Sequence, residues 1–419
     1  PIMGESTFVR TRAVRANPLR QLRSLHLGLD VPLVGAVVAL LVFGALMVYS
    51  SGWQYSYVHG LETNELILKQ VLYAILGSVV ALGISYFNYH RYQRWAVPVI
   101  ILVVLSLLIV LLVPNNGEST KRAFLNGSIQ PSEPAKLAVL IYLSVWLYSK
   151  RDALNQISFG LVPLGTILGI VGGLILLQPD ISAALTIFLL GGMLFFLAGG
   201  DWKQILLVVI IAVGLGFLMV QLSSTAEARI TDYVNGLANP INASTHVKWS
   251  MQAVVNGGFF GVGIGRSTAK FAGLPVAPTD SIFAVIAEET GLLGAMVVIG
   301  LYLVILWRGL SIASRAPDLL GKLMASGITL WIVIEAVINM AVLVNLLPFA
   351  GNALPLISAG GSSLMVTLAG LGVVLNVARV SGQKSQSTEG RSFGTVVDLR
   401  RRDGRGRVPR ANRFTGARQ

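Results

Sequence analysis

Ten apolar runs divide this chain, at about 31–50, 69–87, 95–113, 135–148, 158–177, 181–199, 203–221, 281–307, 321–345 and 353–378. Several reach the ~20 residues that a helix needs to cross a hydrocarbon core. Lipid leaves a spanning backbone only two ways to satisfy its hydrogen bonds, a helix bundle or a closed barrel. A barrel would show ~10-residue alternating segments, which this sequence lacks. The composition agrees, being 54% hydrophobic and only 12% charged. The expected fold is therefore an all-α polytopic membrane protein of about ten transmembrane helices. The fourth run is the shortest, and the fifth and sixth are separated only by Gln178-Pro179-Asp180.

Charge arranges those runs. The formal net charge is +13, and most of the lysines and arginines fall at the two ends and in short loops on one side. The positive-inside rule then puts both termini in the cytoplasm. Residues 1–29 read as a basic cytoplasmic arm carrying Arg10, Arg12, Arg15, Arg20 and Arg23. Residues 30–379 read as the membrane domain, and 380–419 as a disordered basic tail with Arg400, Arg401 and Arg402. The arm runs into an apolar segment too long for a signal-peptide core, so no cleavable leader is expected. Two outer loops are long, at about 114–134 and, between helices 7 and 8, at 222–280; loops of that length tend to carry function. The basic ends suit a lipid surface and not nucleic acid, because no aromatic residues interleave with them. The lack of Cys excludes disulfides and thiolate metal sites. The four His show no metal-ligand spacing. No internal repeat is visible, which speaks against inverted-repeat transporter folds.

The residues that carry chemistry gather in and beside the second loop. Residues 256–291 read NGGFFGVGIGRSTAKFAGLPVAPTDSIFAVIAEETG. The stretch brings Asp280 to the start of helix 8, which carries Glu288 and Glu289 about two turns deeper. Ionisable groups at that depth are expensive and are functional candidates. Asp280 also reads as a helix cap, a role Thr279 or Ser281 would fill as well. Gly257, Gly258, Gly261, Gly263 and Gly265 follow no strand and precede no suitably spaced acid, so they read as close-packed backbone and not as a nucleotide loop. In QPSEPAKLAVLIYL, Ser132 is placed as N-cap and Pro134 in the first turn. Glu133 and Lys136 then share a helix face, as an ion pair or as a holder of an anionic head group. Asp180 reads as a turn or cap residue. Arg229 and Asp232 read as a pair on an amphipathic segment. Glu335 lies within a span and is expected to face the bundle interior.

Four stretches together resemble one family. GVGIGRSTAKFAGLPVAPTDSIFAVIAEETG, QPSEPAKLAVLIYLS, LQPDISAALTIFL and LPFAGNALPLISAGGSSLMV are similar, in order and spacing, to the motifs of SEDS proteins (shape, elongation, division and sporulation). The likeness runs from Asp30 to Arg379, and Gly265-x-Ser267-x-x-Lys270 resembles the division member more than the elongation member. The chain departs from the family pattern at Pro278, where a His is usual, at Ser281, where a Phe is usual, and in KRAFLNGSI, which replaces a Trp-containing segment.

The resemblance implies a peptidoglycan glycosyltransferase acting on lipid II, in which Asp280 is the general base on the acceptor sugar's C4 hydroxyl. It implies Lys136 and Arg229 as partners of the diphosphate, with Glu133 or Asp180 beside a divalent cation, Mg or Mn. Ser267, Lys270 and Ser362 complete the expected substrate-binding residues, and Gly360, Gly361 and Ser363 shape the cavity by close helix approach. The implied partner is a class B penicillin-binding protein, a single-pass transpeptidase, within the divisome or elongasome. A lipid II flippase and a non-catalytic scaffold that activates a transpeptidase are the alternatives. A flippase needs polar groups through the full membrane depth, whereas a transferase needs a base at the outer rim.

Overall fold

The structure, a computed structural model, describes residues 30–58, 64–112, 130–154, 156, 160–178, 180–222, 224–239 and 243–392. Every regular element among them is helical, as a chain in lipid requires. In order they are α1 (Val31–Val58), α2 (Glu65–Tyr86), α3 (Tyr92–Leu112), α4 (Ser132–Ser149), α5 (Leu161–Leu177), α6 (Ile181–Leu197) and α7 (Trp202–Leu222). Then come α8 (Ser224–Ala238), α9 (Thr245–Gly257), α10 (Ala269–Ala272), α11 (Ile282–Ser314), α12 (Leu319–Leu343) and α13 (Gly361–Ser392). Among the described residues, α1, α2, α3, α11, α12 and α13 are long and apolar enough to cross a membrane, and α5, α6 and the start of α7 form shorter apolar helices. The helices α8, α9 and α10 occupy the long loop expected at 222–280.

α12 is the axis of the bundle. Leu323, Met324, Ile328, Trp331 and Ile332 are buried, and the helix packs against α4, α6, α11 and α13. By contrast α2, α3 and α7 keep rows of Leu, Val and Ile exposed, the outward face of a helix whose solvent is lipid.

The structure corrects the unbroken span expected at 281–307. Gly291, with φ +68° and ψ −168°, interrupts α11. A break frees backbone groups that lipid cannot satisfy, and the glycine-rich loop after α9 meets them. Val262 and Gly263 donate N–H to the carbonyls of Glu288 and Glu289, both at 3.0 Å, and Leu292 and Leu293 donate to the carbonyls of Gly258 and Phe259. A Cβ on Gly291 would stand 2.4 Å from the Gly261 nitrogen, so glycine is required there. Residues 292–314 rise ~34 Å at 1.5 Å per residue, enough to cross alone. The buried segment 282–290 is thus a separate half-helix placed by the loop.

Three boundaries also differ. Ser132 is the first residue of α4 and not its cap; Pro131 precedes the helix and gives no side-chain cap, and the Ser132 hydroxyl turns instead to Asp180. The apolar run expected from 353 becomes helical only at Gly361, because residues 353–360 form a turn with Leu354, Leu356 and Ile357 packed inward. α13 continues to Ser392, past the expected start of the tail. The arm 1–29, the tail beyond 392 and most of the first long outer loop lie outside the described residues.

Candidate functional site

The start of α4, the starts of α6 and α13, the end of α12 and the loops before α11 and α13 meet at one end of the bundle. They enclose a polar cavity of about 280 Å³ lined by Glu133, Lys136, Asp180, Asp280, Glu335 and Ser362, with Gln130, Thr279, Asn352 and Gly361 between them. Lys136 is almost fully buried, and its ammonium reaches Glu133 at 2.9 Å and Glu335 at 2.5 Å. Glu335 thereby acquires the partner that its span position demanded. Asp180 is both cap and cavity wall. Its carboxylate accepts from the Ala183 N–H and the Ser182 hydroxyl through Oδ1, and from Gln130 and Ser132 through Oδ2. The turn before α6 is thereby fastened to the start of α4.

Asp280 is placed through its backbone. α11 begins at Ile282 with Ser281 at its N-cap position, so Asp280 is not the cap. The Asn339 side chain donates to the Asp280 carbonyl at 2.9 Å and to the Asn352 carbonyl. The Ser358 hydroxyl donates to the Thr279 carbonyl, and the Ala359 N–H to the Pro278 carbonyl at 2.9 Å. The segments LPVAPTD and LPFAGNALPLISAGG are thus tied together, with a carboxylate at their junction and the Gly351 backbone beside it. Two cavity-lining residues hold buried polar atoms without hydrogen-bond partners among the described residues, Oε2 of Glu133 and Nδ2 of Asn352. A cavity rimmed by four carboxylates around one lysine can take a proton, receive hydroxyl-rich groups and bind a cation.

The structure does not bring Ser267, Lys270 or Arg229 into this cavity. Lys270 is buried and pairs with Glu289 at 2.8 Å, and also donates to the Ser50 and Gly265 carbonyls. Ser267 donates its hydroxyl to Glu288. The carboxylates of these glutamates also accept from Thr268, Ala269 and Ser50. This cluster fastens the glycine loop and α1 to the half-helix. Arg229, on α8, lies over the Phe349 ring at 5.7 Å; Asp232 and His246 border a small neighbouring pocket with it. His246 stacks on the same Phe349 ring at 4.1 Å and meets the Ser281 hydroxyl at 3.3 Å. Burial and the Arg229 charge push its pKa down to about 4, which keeps it neutral.

Sequence reasoning missed Gln130, Asn339 and Asn352. Asn339 carried a signal, as a polar residue in an apolar span one turn beyond Glu335, where an unpartnered amide would be costly. Gln130 and Asn352 stand in loops with no periodicity to betray them.

The family model described as a cell cycle protein of the FtsW, RodA and SpoVE type matches residues 32–383. The probable peptidoglycan glycosyltransferase FtsW of Trichlorobacter lovleyi is 36% identical, over 83% of this chain and 93% of its own. Stage V sporulation protein E of Bacillus subtilis is 34% identical, over 84% of this chain and 97% of its own. A chain of a solved peptidoglycan synthase complex, described as structurally coordinating polymerization and crosslinking, is similar with a TM-score of 0.69 and 27% identity, covering 85% of this chain and 99% of its own. The rod shape determining protein RodA of Thermus thermophilus gives a TM-score of 0.61 at 28% identity, over 84% of this chain and 98% of its own. With its fold, its four motifs and this coverage in agreement, the chain is a multi-pass membrane protein that belongs to the FtsW/RodA/SpoVE, or SEDS, family.

Proposed function

We propose that this chain is a peptidoglycan glycosyltransferase that polymerises lipid II at the outer face of the bacterial cytoplasmic membrane, with both termini in the cytoplasm. The observation that carries the reading is the convergence of Asp280, Glu133, Lys136, Asp180, Glu335 and Ser362 from distant segments on one polar cavity. The relatives described as probable peptidoglycan glycosyltransferases support it.

In this mechanism Asp280 accepts the proton of the acceptor sugar's C4 hydroxyl. The freed oxygen bonds to the donor's anomeric carbon as the bond to the diphosphate breaks, and undecaprenyl diphosphate leaves with the electron pair. Lys136 faces the cavity with its charge already matched by Glu133 and Glu335. A diphosphate entering among four carboxylates therefore needs more positive charge than this lysine supplies. Among the described residues, no three His, Cys, Asp or Glu side chains are grouped to cage a metal. The unpaired Oε2 of Glu133 suits instead the sparse ligation that Mg²⁺ accepts, one or two carboxylates plus substrate phosphates. Such an ion would neutralise charge on the leaving group. Ser362 and Gln130 are placed to hydrogen-bond sugar or phosphate oxygens.

A class B penicillin-binding protein is the proposed partner, supplying cross-linking in trans; the likeness to a synthase complex that coordinates polymerization with crosslinking supports it. Division is the proposed setting. Of Glu288, Glu289 and Glu335, the buried acids that a transport path would use, the first two are occupied in holding the loop, which weighs against the flippase alternative.

The test is polymerisation of purified lipid II by the full chain, with and without its transpeptidase, whose own active site is blocked. Polymer from the wild type and none from folded Asp280→Asn is expected. Equal polymer from both would remove Asp280 as the base.

A further inference from the structure

Asn339, Ser358 and Ala359 fix the carbonyls of residues 278–280 from the bundle side. A backbone tie still leaves the Asp280 side chain free to turn about its own torsions. A general base needs more, because a misplacement of about 1 Å can cost a hundredfold in rate. The outer side of the same junction is closed by α9. Ser244 caps that helix, its hydroxyl accepting from the Val247 N–H, which sets His246 in the first turn. The imidazole meets two residues at once. Its Nδ1 lies 3.3 Å from the hydroxyl of Ser281, the residue after Asp280, and its ring stacks on Phe349 at 4.1 Å with 23° between the planes. Phe349 stands close to the carboxylate from another segment of the chain. A Cβ built on Gly351 would lie 3.5 Å from Oδ2 of Asp280 and 3.9 Å from Cε1 of Phe349, so ring and carboxylate are at most a side chain's width apart. Phe349 also borders an apolar pocket of about 160 Å³ together with Leu185 and Arg229, space into which the ring can swing once the stack is lost.

We infer that His246 is a positioning residue for Asp280: by holding Ser281 and Phe349 together beside the carboxylate, it fixes the direction in which that group meets the acceptor hydroxyl. The inference rests on the glycosyltransferase reading and names the residue that aims its base. His246 does not line the polar cavity, so it acts on the rate and not on substrate binding. The Ser281 hydroxyl is available for this grip because it makes no capping bond to the half-helix that follows it. Position 281 is also a departure from the family pattern, and the serine admits an imidazole where a Phe would fill the place. Burial and Arg229 keep the ring neutral, so that a ring nitrogen can accept from that hydroxyl. The far end of α9 is fastened separately, where Gly257 packs its backbone directly on that of Ala287. Loss of the imidazole therefore loosens the aim of the carboxylate without releasing the helix.

The experiment is polymerisation of purified lipid II by the full chain with its transpeptidase, whose own active site is blocked. Rates are counted per copy that binds lipid II, so that a partly unfolded sample does not imitate the effect. His246→Ala is expected to lower kcat about tenfold and to leave KM within about twofold of the wild type. Ser281→Ala removes the hydroxyl alone, and turnover about threefold slower is expected, the worth of one modest hydrogen bond. Added to His246→Ala it should cost nothing further, since the two side chains act as one. Full kcat in His246→Ala, a raised KM in place of a lowered kcat, or losses that simply multiply in the double variant would overturn the proposal. Should His246→Ala not fold, Ser281→Ala decides, and an unchanged kcat there overturns it. A wild type that makes no polymer removes the glycosyltransferase reading and this one with it, whereas polymer made equally fast by the wild type and His246→Ala removes this one alone.

Discussion

Two clusters of buried charge stand near the same end of the molecule, built from the same kinds of residue. Around Lys136 are Glu133 and Glu335; around Lys270 are Glu289 and, one residue before it, Glu288. The Lys270 cluster is filled. Its carboxylates accept from hydroxyls, backbone amides and the ammonium, all within the protein. The Lys136 cluster borders open volume, and one of its carboxylate oxygens lacks a partner among the described residues. Burial of charge is common to both. What separates a site from a fastening is whether the hydrogen-bonding capacity is used up.

The comparison can be broken most decisively at Asp280. Asp280→Asn should cost a factor on the order of 10²–10⁴ in polymerisation rate, the usual worth of a general base, with Tm unchanged, because the carbonyl that anchors this residue is retained. Equal polymer would end the distinction. In the filled cluster, Lys270→Met should instead destabilise the protein by about 3–5 kcal/mol, since it leaves Glu289 buried and unpaired. Thermal unfolding in detergent reads this directly, and an unchanged Tm would show the pair to be no fastening. Glu133→Gln is the milder probe of the open cluster. Lys136 keeps Glu335, so the fold should hold, while polymerisation falls about tenfold and half-maximal activity needs more Mg²⁺. The smallest effect concerns pH. His246 is held neutral with a pKa of about 4, below the ordinary 6.5. The unfolded chain therefore takes up this proton first as pH falls. The contribution of His246 to stability is complete above pH 6.5 and is lost progressively between 6.5 and about 4. Between pH 7.5 and 5, Tm should drop further in the wild type than in His246→Asn; equal drops would refute the assignment.

The positions of the helices were legible because lipid imposes a crude requirement, a long apolar run, which α1, α2, α3 and α12 satisfy openly. The break in α11 was not, since the residues around Gly291 read as one apolar run apart from Glu288 and Glu289, and only the loop's carbonyls and amides make the interruption tolerable. The same blindness placed a helix start at 353, where Leu354, Leu356 and Ile357 are apolar because they pack under the cavity. Asp280, Glu133, Lys136, Asp180 and Ser362 were expected from motifs, and the structure brings them to one cavity. Ser267 and Lys270 were assigned to substrate on motif likeness, and the structure spends them on Glu288 and Glu289. Arg229 stands beside the neighbouring apolar pocket. Long-range pairing such as Lys136 with Glu335 leaves no trace in local sequence.

The way Asp280 is anchored bears on genetics. Asn339, Ser358 and Ala359 grip the carbonyls of residues 278–280, and none of these bonds depends on which side chain position 280 carries. A copy disabled there should be made in normal amounts, inserted normally and counted by the cell as a working part. In a cell holding both alleles, it would occupy places that active copies need, so the defect should behave as dominant, whereas loss of the Lys270 fastening, which removes the protein itself, should be recessive.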